Sequence, residues 1–327
     1  MLGEMLGKSG LRATLLAALS LWQTATLQAQ EWPSRPVKIV VAFAPGGSAD
    51  QFGRLMAAEL SSAFKQQFFI ENRPGNSGTI GSAQVARAES DGYTLLIGGS
   101  GPHLTAPAIN PNVGYDPLRD FTHIAMIGAD SYAWVANPAL GVKSVADLVT
   151  LAKNRKDPIT SSSPGPGSLG HLLIEQFKRK AGIDILHVPA PNSGVTDVLG
   201  NHISMTLTAM MTVGEQVKAG QLVALAVTST ERNPVFKSIP TFGEQGYPDV
   251  RGDTWFWLCG PRNLPNEVVT RLSEATRRIV RSPKIQEHFQ MLALLSKDLD
   301  VAGVQEFIAE EYAFWAPLAK NAGLRVQ

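Results

Sequence analysis

Serine hydroxyls and glycine amides are concentrated at three points of the chain: Ala44-Pro45-Gly46-Gly47-Ser48-Ala49-Asp50, Gly98-Gly99-Ser100-Gly101-Pro102-His103, and the run from Ser161 through Ser163, Gly165, Gly167 and Ser168 to His171. The chemistry these residue types suit is the holding of an anion. Glycine lets backbone N–H groups approach a ligand closely, a helix starting just after the turn offers unpaired donors at a positive dipole end, and serine adds a hydroxyl. Covalent chemistry fits the same turns poorly. No Gly-x-x-x-x-Gly-Lys run follows any of them, and GGSGP stops one glycine short of a Gly-x-Ser-x-Gly nucleophile elbow. Binding without turnover is therefore expected, with no cofactor and no enzyme activity.

Within the first turn, the N–H groups of Gly47, Ser48 and Ala49 could face an anion while Pro45 stiffens the entrance. Ser48 is placed to cap the following helix, and Asp50, in its first turn, either complements the helix dipole or contacts the ligand. In the second turn Ser100 is the favoured ligand contact, flanked by Gly99 and Gly101; alternatively the glycines only permit a tight turn. His103 reads as a packing histidine, because no nucleophile pattern accompanies it. In the third, Ser168 should cap a helix. His171 then lies near the positive end as a neutral imidazole that donates to ligand or to a neighbouring loop. His171 and Glu175 have i, i+4 spacing but lack a third candidate, so no metal site is expected. Arg73, in the turn-rich segment Asn72 to Gly78, either steers an anion or ties backbone carbonyls.

These turns need a scaffold. Apolar, β-branched runs predict strands at 37–43, 68–71, 93–97, 123–127, 132–136, 159–161, 185–188, 203–207, 223–228 and 254–258. Helical periodicity lies between many of them; after the first turn, Phe52, Leu55, Met56, Leu60 and Phe64 mark one apolar face. Repeated strand–helix–strand units predict an α/β fold with a parallel sheet, and in such sheets ligands bind beyond the carboxyl ends of the strands, where all three turns fall. From Asn266 onward the pattern is helical, with Pro283 and Ala302-Gly303 interrupting three amphipathic stretches.

Lys8 and Arg12 precede the apolar stretch Ala13 to Trp22, followed by a polar segment to Ala29, the pattern of a secretory signal peptide over 1–29. Nothing in the chain approaches about 18 uninterrupted apolar residues, so no spanning helix is expected. The sequence has 29 basic and 28 acidic residues; removing the leader takes Lys8, Arg12 and Glu4 and leaves 27 of each. A neutral surface argues against nucleic acid and against anionic membrane as partners. The single cysteine, Cys259, sits in the apolar run TWFWLCGP and is expected to be buried and inert. At 327 residues and 44% hydrophobic, the chain exceeds one ordinary core, and two domains are expected.

Read in order, the segments WPSRPVKIVVAFAPGGSAD, ENRPGNSGTIGSAQVARAESDGYTLLIGG, YDPLRDFTHIAMIG, KSVADLVTLAK, SSPGPGSLGHLLIEQFKRKAGIDILHVP, LVALAVTSTER and IPTFGEQGYPDV resemble the tripartite tricarboxylate transporter substrate-binding family, also called the Bug family of extracytoplasmic solute receptors. The resemblance implies a two-lobed periplasmic binding protein type II fold with crossover strands between lobes. Residues 30–132 plus 255–327 would form lobe 1 and 133–254 lobe 2. It implies a periplasmic monomer that closes on a small organic carboxylate and delivers it to membrane transporter subunits; a sensor protein as partner, or a secreted α/β serine hydrolase, are the alternatives. The matching positions are Pro45 to Ser48, Gly99 to Gly101 and Ser163 to His171. One departure stands out: after His187-Val188-Pro189 the family continues Tyr-Lys-Gly, whereas here the chain reads Ala190-Pro191-Asn192-Ser193-Gly194. Asn192 and Ser193 either replace the lost side chains as neutral ligand contacts or belong to a remodelled surface loop.

Overall fold

The strand and helix patterns between Val37 and Pro261 resolve into one mixed sheet with its covering helices, seen in a computed structural model that describes residues 31–110, 112–166 and 168–321. The chain divides into two units, Met1–Ser34 and Arg35–Gln327. The expected leader lies in the first and outside the described residues; Gly167, in the second, is also outside them. The second unit carries everything below.

Its elements run β1 (Val37–Val41), α1 (Ser48–Phe64), β2 (Phe68–Asn72), α2 (Thr79–Ala86), β3 (Thr94–Gly99), a π-helical segment (Gly101–Thr105) leading into α3 (Ala106–Ile109), and β4 (Phe121–Ala136). Then come α4 (Val145–Asn154), β5 (Ile159–Ser163), α5 (Leu169–Ala181), β6 (Ile185–Pro189), α6 (Val195–Leu199), β7 (Met205–Ala209), α7 (Met210–Lys218), β8 (Val223–Val227) and β9 (Asp253–Pro261). Three helices close the chain: α8 (Asn266–Arg281), α9 (Pro283–Met291) and α10 (Val301–Asn321).

The sheet order is β2-β1-β3-β9-β4-β7-β5-β6, with β8 also on β4. Strands β2, β1 and β3 are parallel, as are β6, β5 and β7, in keeping with the helices between them. The sheet as a whole is not parallel, however, because β9 runs antiparallel to β3 and β4, and β4 antiparallel to β7 and β8. The strands expected at 123–127 and 132–136 are one 16-residue strand, β4. Gly128-Ala129-Asp130-Ser131 offered a break by composition, but its backbone is held by β9 through Ser131 opposite Asp253, and from Tyr132 the strand's partner becomes β7. Long-range pairing overrides the local signal.

Packing explains the helix positions. Phe52, Met56 and Leu60 of α1 are buried, as their spacing predicts, and Phe52 meets Phe256 at 4.9 Å and Phe289 at 5.7 Å between ring centroids. Gly53 lets α1 approach the sheet: a Cβ there would lie 2.7 Å from a Val41 methyl. A second aromatic cluster joins Trp134, Phe177 and Phe242, and Trp134 donates its indole N–H to Ser161 Oγ at 3.0 Å. Of the tail, α8 packs on β4 and α1, and α10 on β4 and α3. Pro283 starts a helix as expected, whereas Gly303 lies inside α10 and does not break it. Cys259 is fully buried on β9, where burial pushes its thiol far above the usual range. Among the described residues no helix is long and apolar enough to cross a membrane.

Candidate functional site

A cleft of about 620 Å³ opens at the ends of β1, β3, β5 and β7. It is lined by the first turn at Gly46, Gly47 and Ser48, the second at Gly99, Ser100 and Gly101, and the third at Gly165 and Ser168, together with Ser193. The three turns thus converge. None of the described lining residues is Lys, Arg, His, Asp or Glu; the walls are Phe43, Pro102, Tyr132, Pro164, Pro166, Leu169, Pro189, Ala190, Ala209 and Phe256. Pro45, Asp50, Ser163 and His171 stand off the lining. The backbone of Asn192 belongs to a short 3-10 turn, Pro191–Gly194, and its side chain lies outside what is described.

Asp50 organises the first turn from behind. With Gly46 at φ +92°, the chain turns back so that the Gly46 N–H donates to Asp50 Oδ2 at 3.0 Å. Arg54 Nε donates to the same oxygen at 2.8 Å and Asn72 Nδ2 to Oδ1 at 2.9 Å. Burial pushes this carboxyl upward, but the bonds from Arg54, Asn72 and Gly46 together hold it below the usual carboxylate range. The helix cap is Gly47, not Ser48, and no side chain caps the helix. Ser48 is the first helical residue, and its hydroxyl donates to Asp130 Oδ2 at 3.0 Å. The first helical N–H to find an intrahelical acceptor is that of Gln51, at 3.0 Å from Gly47 O. The amides of Gly47, Ser48 and Ala49 come before it, where a helix leaves its donors to outside partners.

Beneath the cleft, Asp130 on β4 is fully buried and also accepts from the Met211 N–H of α7 at 3.1 Å. One carboxyl therefore joins the starts of α1 and α7. Burial, with a smaller push from Asp253 on β9, raises it to about 8 against the opposing hydrogen bonds from Met211 and Ser48. Asp253 itself is pushed up to about 7, chiefly by burial.

At the second turn, Gly98 answers to packing, since a Cβ there would meet Trp257 Nε1 at 2.5 Å. Ser100 lines the cleft, but its Oγ already accepts the Trp255 N–H at 3.0 Å, so the side chain anchors the turn to β9. His103 is fully buried against Phe121 and Trp257, and desolvation lowers it well below the usual histidine range. Its Nδ1 accepts the Gly99 N–H at 3.4 Å, the bond of a neutral packing residue.

Ser168 caps α5 as expected, accepting the His171 N–H at 3.3 Å. The Ser168 N–H is taken by Gly165 O, and the leading amides of Leu169 and Gly170 come before the bond from Leu172 N–H to Ser168 O at 3.1 Å, where a helix leaves its donors to outside partners. The His171 ring stacks on His187 at 3.8 Å between centroids, and burial lowers both to about 4. Ser163 Oγ lies 2.7 Å from His187 Nε2. That serine is fully buried and shares its hydroxyl with Ser168, so the pair braces the turn and presents no nucleophile. Arg73 neither reaches the cleft nor ties carbonyls through its guanidinium: Nε bonds Glu71 at 2.5 Å. Among the described residues no group of three His, Cys, Asp or Glu could hold a metal.

Ser193 lies inside, 3% exposed, with φ +60°, and Ala190 before it is buried as well. A left-handed non-glycine residue costs on the order of 1–3 kcal/mol. Ser162 Oγ and Thr206 Oγ1 both donate to Ser193 O, at 2.6 and 2.7 Å, and Thr208 Oγ1 donates to Ser193 Oγ at 2.7 Å. At about 1 kcal/mol each these bonds offset the strain. Asn76 and Ser77, also left-handed, line the opposite wall, and Ser77 Oγ crosses to Pro166 O at 2.5 Å. Asp130, Ser77 and the Ser162–Thr206–Thr208 set carry no local sequence signal; each acts through a partner 13 or more residues away.

Comparison with known proteins agrees with this architecture. Residues 52–324 match the family described as tripartite tricarboxylate transporter family receptor. Over 306 residues the chain is 30% identical to protein BugT of Bordetella pertussis, covering 93% of this chain and 94% of that one. The structure of R. palustris Rpa4515 with adipate has a TM-score of 0.86 at 33% identity, covering 90% of this chain and 99% of the other. That of the periplasmic binding protein BugD has a TM-score of 0.84 at 29% identity, covering 90% and 100%. The fold is that of the periplasmic binding proteins, and the chain belongs to the tripartite tricarboxylate transporter receptor family, whose members bind solutes and do not turn them over.

Proposed function

We propose that this protein binds a small organic carboxylate in the 620 Å³ cleft and presents it to the membrane subunits of a tripartite transporter. Lobe 1 would comprise residues 30–132 and 255–327, and lobe 2 residues 133–254. The switch of β4 partners between Ser131 and Tyr132 and the start of β9 at Asp253 support that division. The observation that carries the reading is the meeting of two helix starts, α1 and α5, from different halves of the sheet, at one cleft with no ionic side chain among its described lining residues. Backbone donors at both starts can share one carboxylate, and charge-assisted bonds contribute about 1.5–3 kcal/mol each. Three or four of them offset the desolvation of the anion and still allow release. The adipate bound by Rpa4515 gives the ligand class support from a relative. Gly47, Ser48 and Ala49 on one side, and Leu169 and Gly170 on the other, are the expected donors, with Gly99 to Gly101 closing the pocket. A binding step that stabilises the closed form needs contacts the open form lacks, which donors on both sides provide.

The test is thermal unfolding of the protein lacking residues 1–29 against mono-, di- and tricarboxylates. At a hundredfold excess over Kd a true ligand adds about 2.7 kcal/mol of stability. A panel with no stabilising carboxylate, or full affinity retained when Ser48 and Ser168 are both made bulky, removes the site. Uptake of the hit by cells with and without the membrane subunits separates a transport receptor from a sensor.

A further inference from the structure

Beneath the cleft stands a carboxyl that no cation balances. Asp130 on β4 is fully buried, and among the described residues it makes no ion pair. Its bonds come from two helix starts: Ser48 Oγ at 3.0 Å on α1, and the Met211 N–H at 3.1 Å on α7. The charged groups on the neighbouring elements do not offset it. Asp253 on β9 is a second buried acid, itself raised further by Glu311 of α10. Asp50 on α1 pairs with Arg54, Glu215 on α7 with Lys218, and the α8 cations Arg277 and Arg281 with Asp298. Lys297 lies over the rings of Trp255 and Phe307, and Tyr132, two residues along β4, keeps its proton. An ionised carboxyl buried without a counter-charge is strongly penalised, so Asp130 holds its proton at neutrality, and burial places it at about 8.

That proton changes what Ser48 can do. An ionised Asp130 only accepts, so the Ser48 hydroxyl donates to it and turns a lone pair toward whatever else is near. A protonated Asp130 has one O–H. Of its two partners the Met211 amide is itself a donor, which leaves Ser48 Oγ as the acceptor. The 3.0 Å bond then runs the other way, and the serine's own hydrogen is released. Ser48 lines the cleft, and its amide is among the leading donors of α1. A carboxylate seated on those amides meets an added O–H donor in one state; in the other it meets a lone pair backed by a buried negative charge.

We propose that Asp130 is a positioning residue whose proton turns the Ser48 hydroxyl toward the ligand, so that the receptor binds its carboxylate most tightly with Asp130 protonated and otherwise takes up a proton with the anion; this rests on the carboxylate reading above. The full affinity is present below the pKa of Asp130 in the ligand-free protein and is lost as pH rises through it.

Calorimetry on the protein lacking residues 1–29 tests this with acetate, benzoate, malate and adipate, all of which stay ionised from pH 7 to 9. A probe that binds at pH 7 should bind about tenfold more weakly at pH 9. At pH 8.5, buffers of different ionisation enthalpy should reveal uptake approaching one proton per anion bound. Asp130→Asn mimics the protonated acid, its amide nitrogen donating to Ser48, and should flatten the profile and abolish the uptake. Asp253→Asn should keep the profile and move its midpoint to lower pH. Ser48→Ala should make it shallower, since the hydroxyl is gone while the repulsion between charges remains. Equal affinity at pH 7 and 9, absence of proton uptake, or a full profile in Asp130→Asn or Ser48→Ala would overturn the inference and leave the receptor reading intact. Silence from all four probes at pH 7 overturns both.

Discussion

Asp50 shows how a residue near a ligand can act without touching it. Its carboxylate takes the Gly46 N–H out of contention as a ligand donor and fixes the turn that presents the next three amides. Asp50→Ala leaves that amide without its acceptor and takes one of two acceptors from the Asn72 side-chain amide, so a loss of about 1–3 kcal/mol in urea unfolding is expected, together with weaker binding of any carboxylate hit. The turn was legible in Gly-Gly-Ser, because glycine and serine there have few other uses. The helix-cap position was not, since Gly47 and Ser48 both suit it, and the choice depends on Asp130, 82 residues away. His171 is neutral, as its place near the helix start suggested, but its stacking partner His187 comes from a neighbouring strand, and spacing along one helix says nothing about it.

At the level of elements, the parallel runs β2-β1-β3 and β6-β5-β7 follow from alternating strand and helix patterns, and those were readable. Strand β9 was read in place but its antiparallel direction was not, and β4 was read as two pieces, because its pairing with β9 and then with β7 and β8 is long-range and needs no help from local composition. The same two strands carry the acids under the cleft, Asp130 and Asp253. Across the cleft mouth, the described side-chain bond is Ser77 to Pro166 O. A bond of about 1 kcal/mol shifts an open–closed balance roughly fivefold. Ser77→Ala should therefore enlarge the radius of gyration of the ligand-free protein in small-angle scattering, and saturating ligand should restore the compact value. An unchanged ligand-free radius would show that the bond does not hold the two walls together.

For the molecule as a whole, buried acids and buried histidines work against each other as pH changes. His103, His123, His171 and His187 are all lowered, chiefly by desolvation, the last three to about 4. The unfolded chain binds their protons more readily, so their contribution to stability is lost as pH falls below about 6.5. Asp130 and Asp253 are raised to about 8 and about 7, so the folded state holds their protons more tightly, and stability declines as pH rises from the ordinary carboxylate range to those values. Four histidines outweigh two aspartates below 6.5, and Asp130 acts almost alone between 7 and 8. The melting temperature should peak near neutrality, and Asp130→Asn should flatten the alkaline side of the peak. A melting temperature that keeps rising from pH 6.5 to 8 would contradict the assigned protonation of Asp130.

The lone thiol has a practical side. Cys259 is sealed within β9, so thiol reagents have nothing to modify on the folded native protein. One new cysteine placed at the cleft rim would then be the sole attachment point for a fluorophore. The native background is already silent, so opening and closing could be followed in real time without first stripping the chain of its own sulfhydryl.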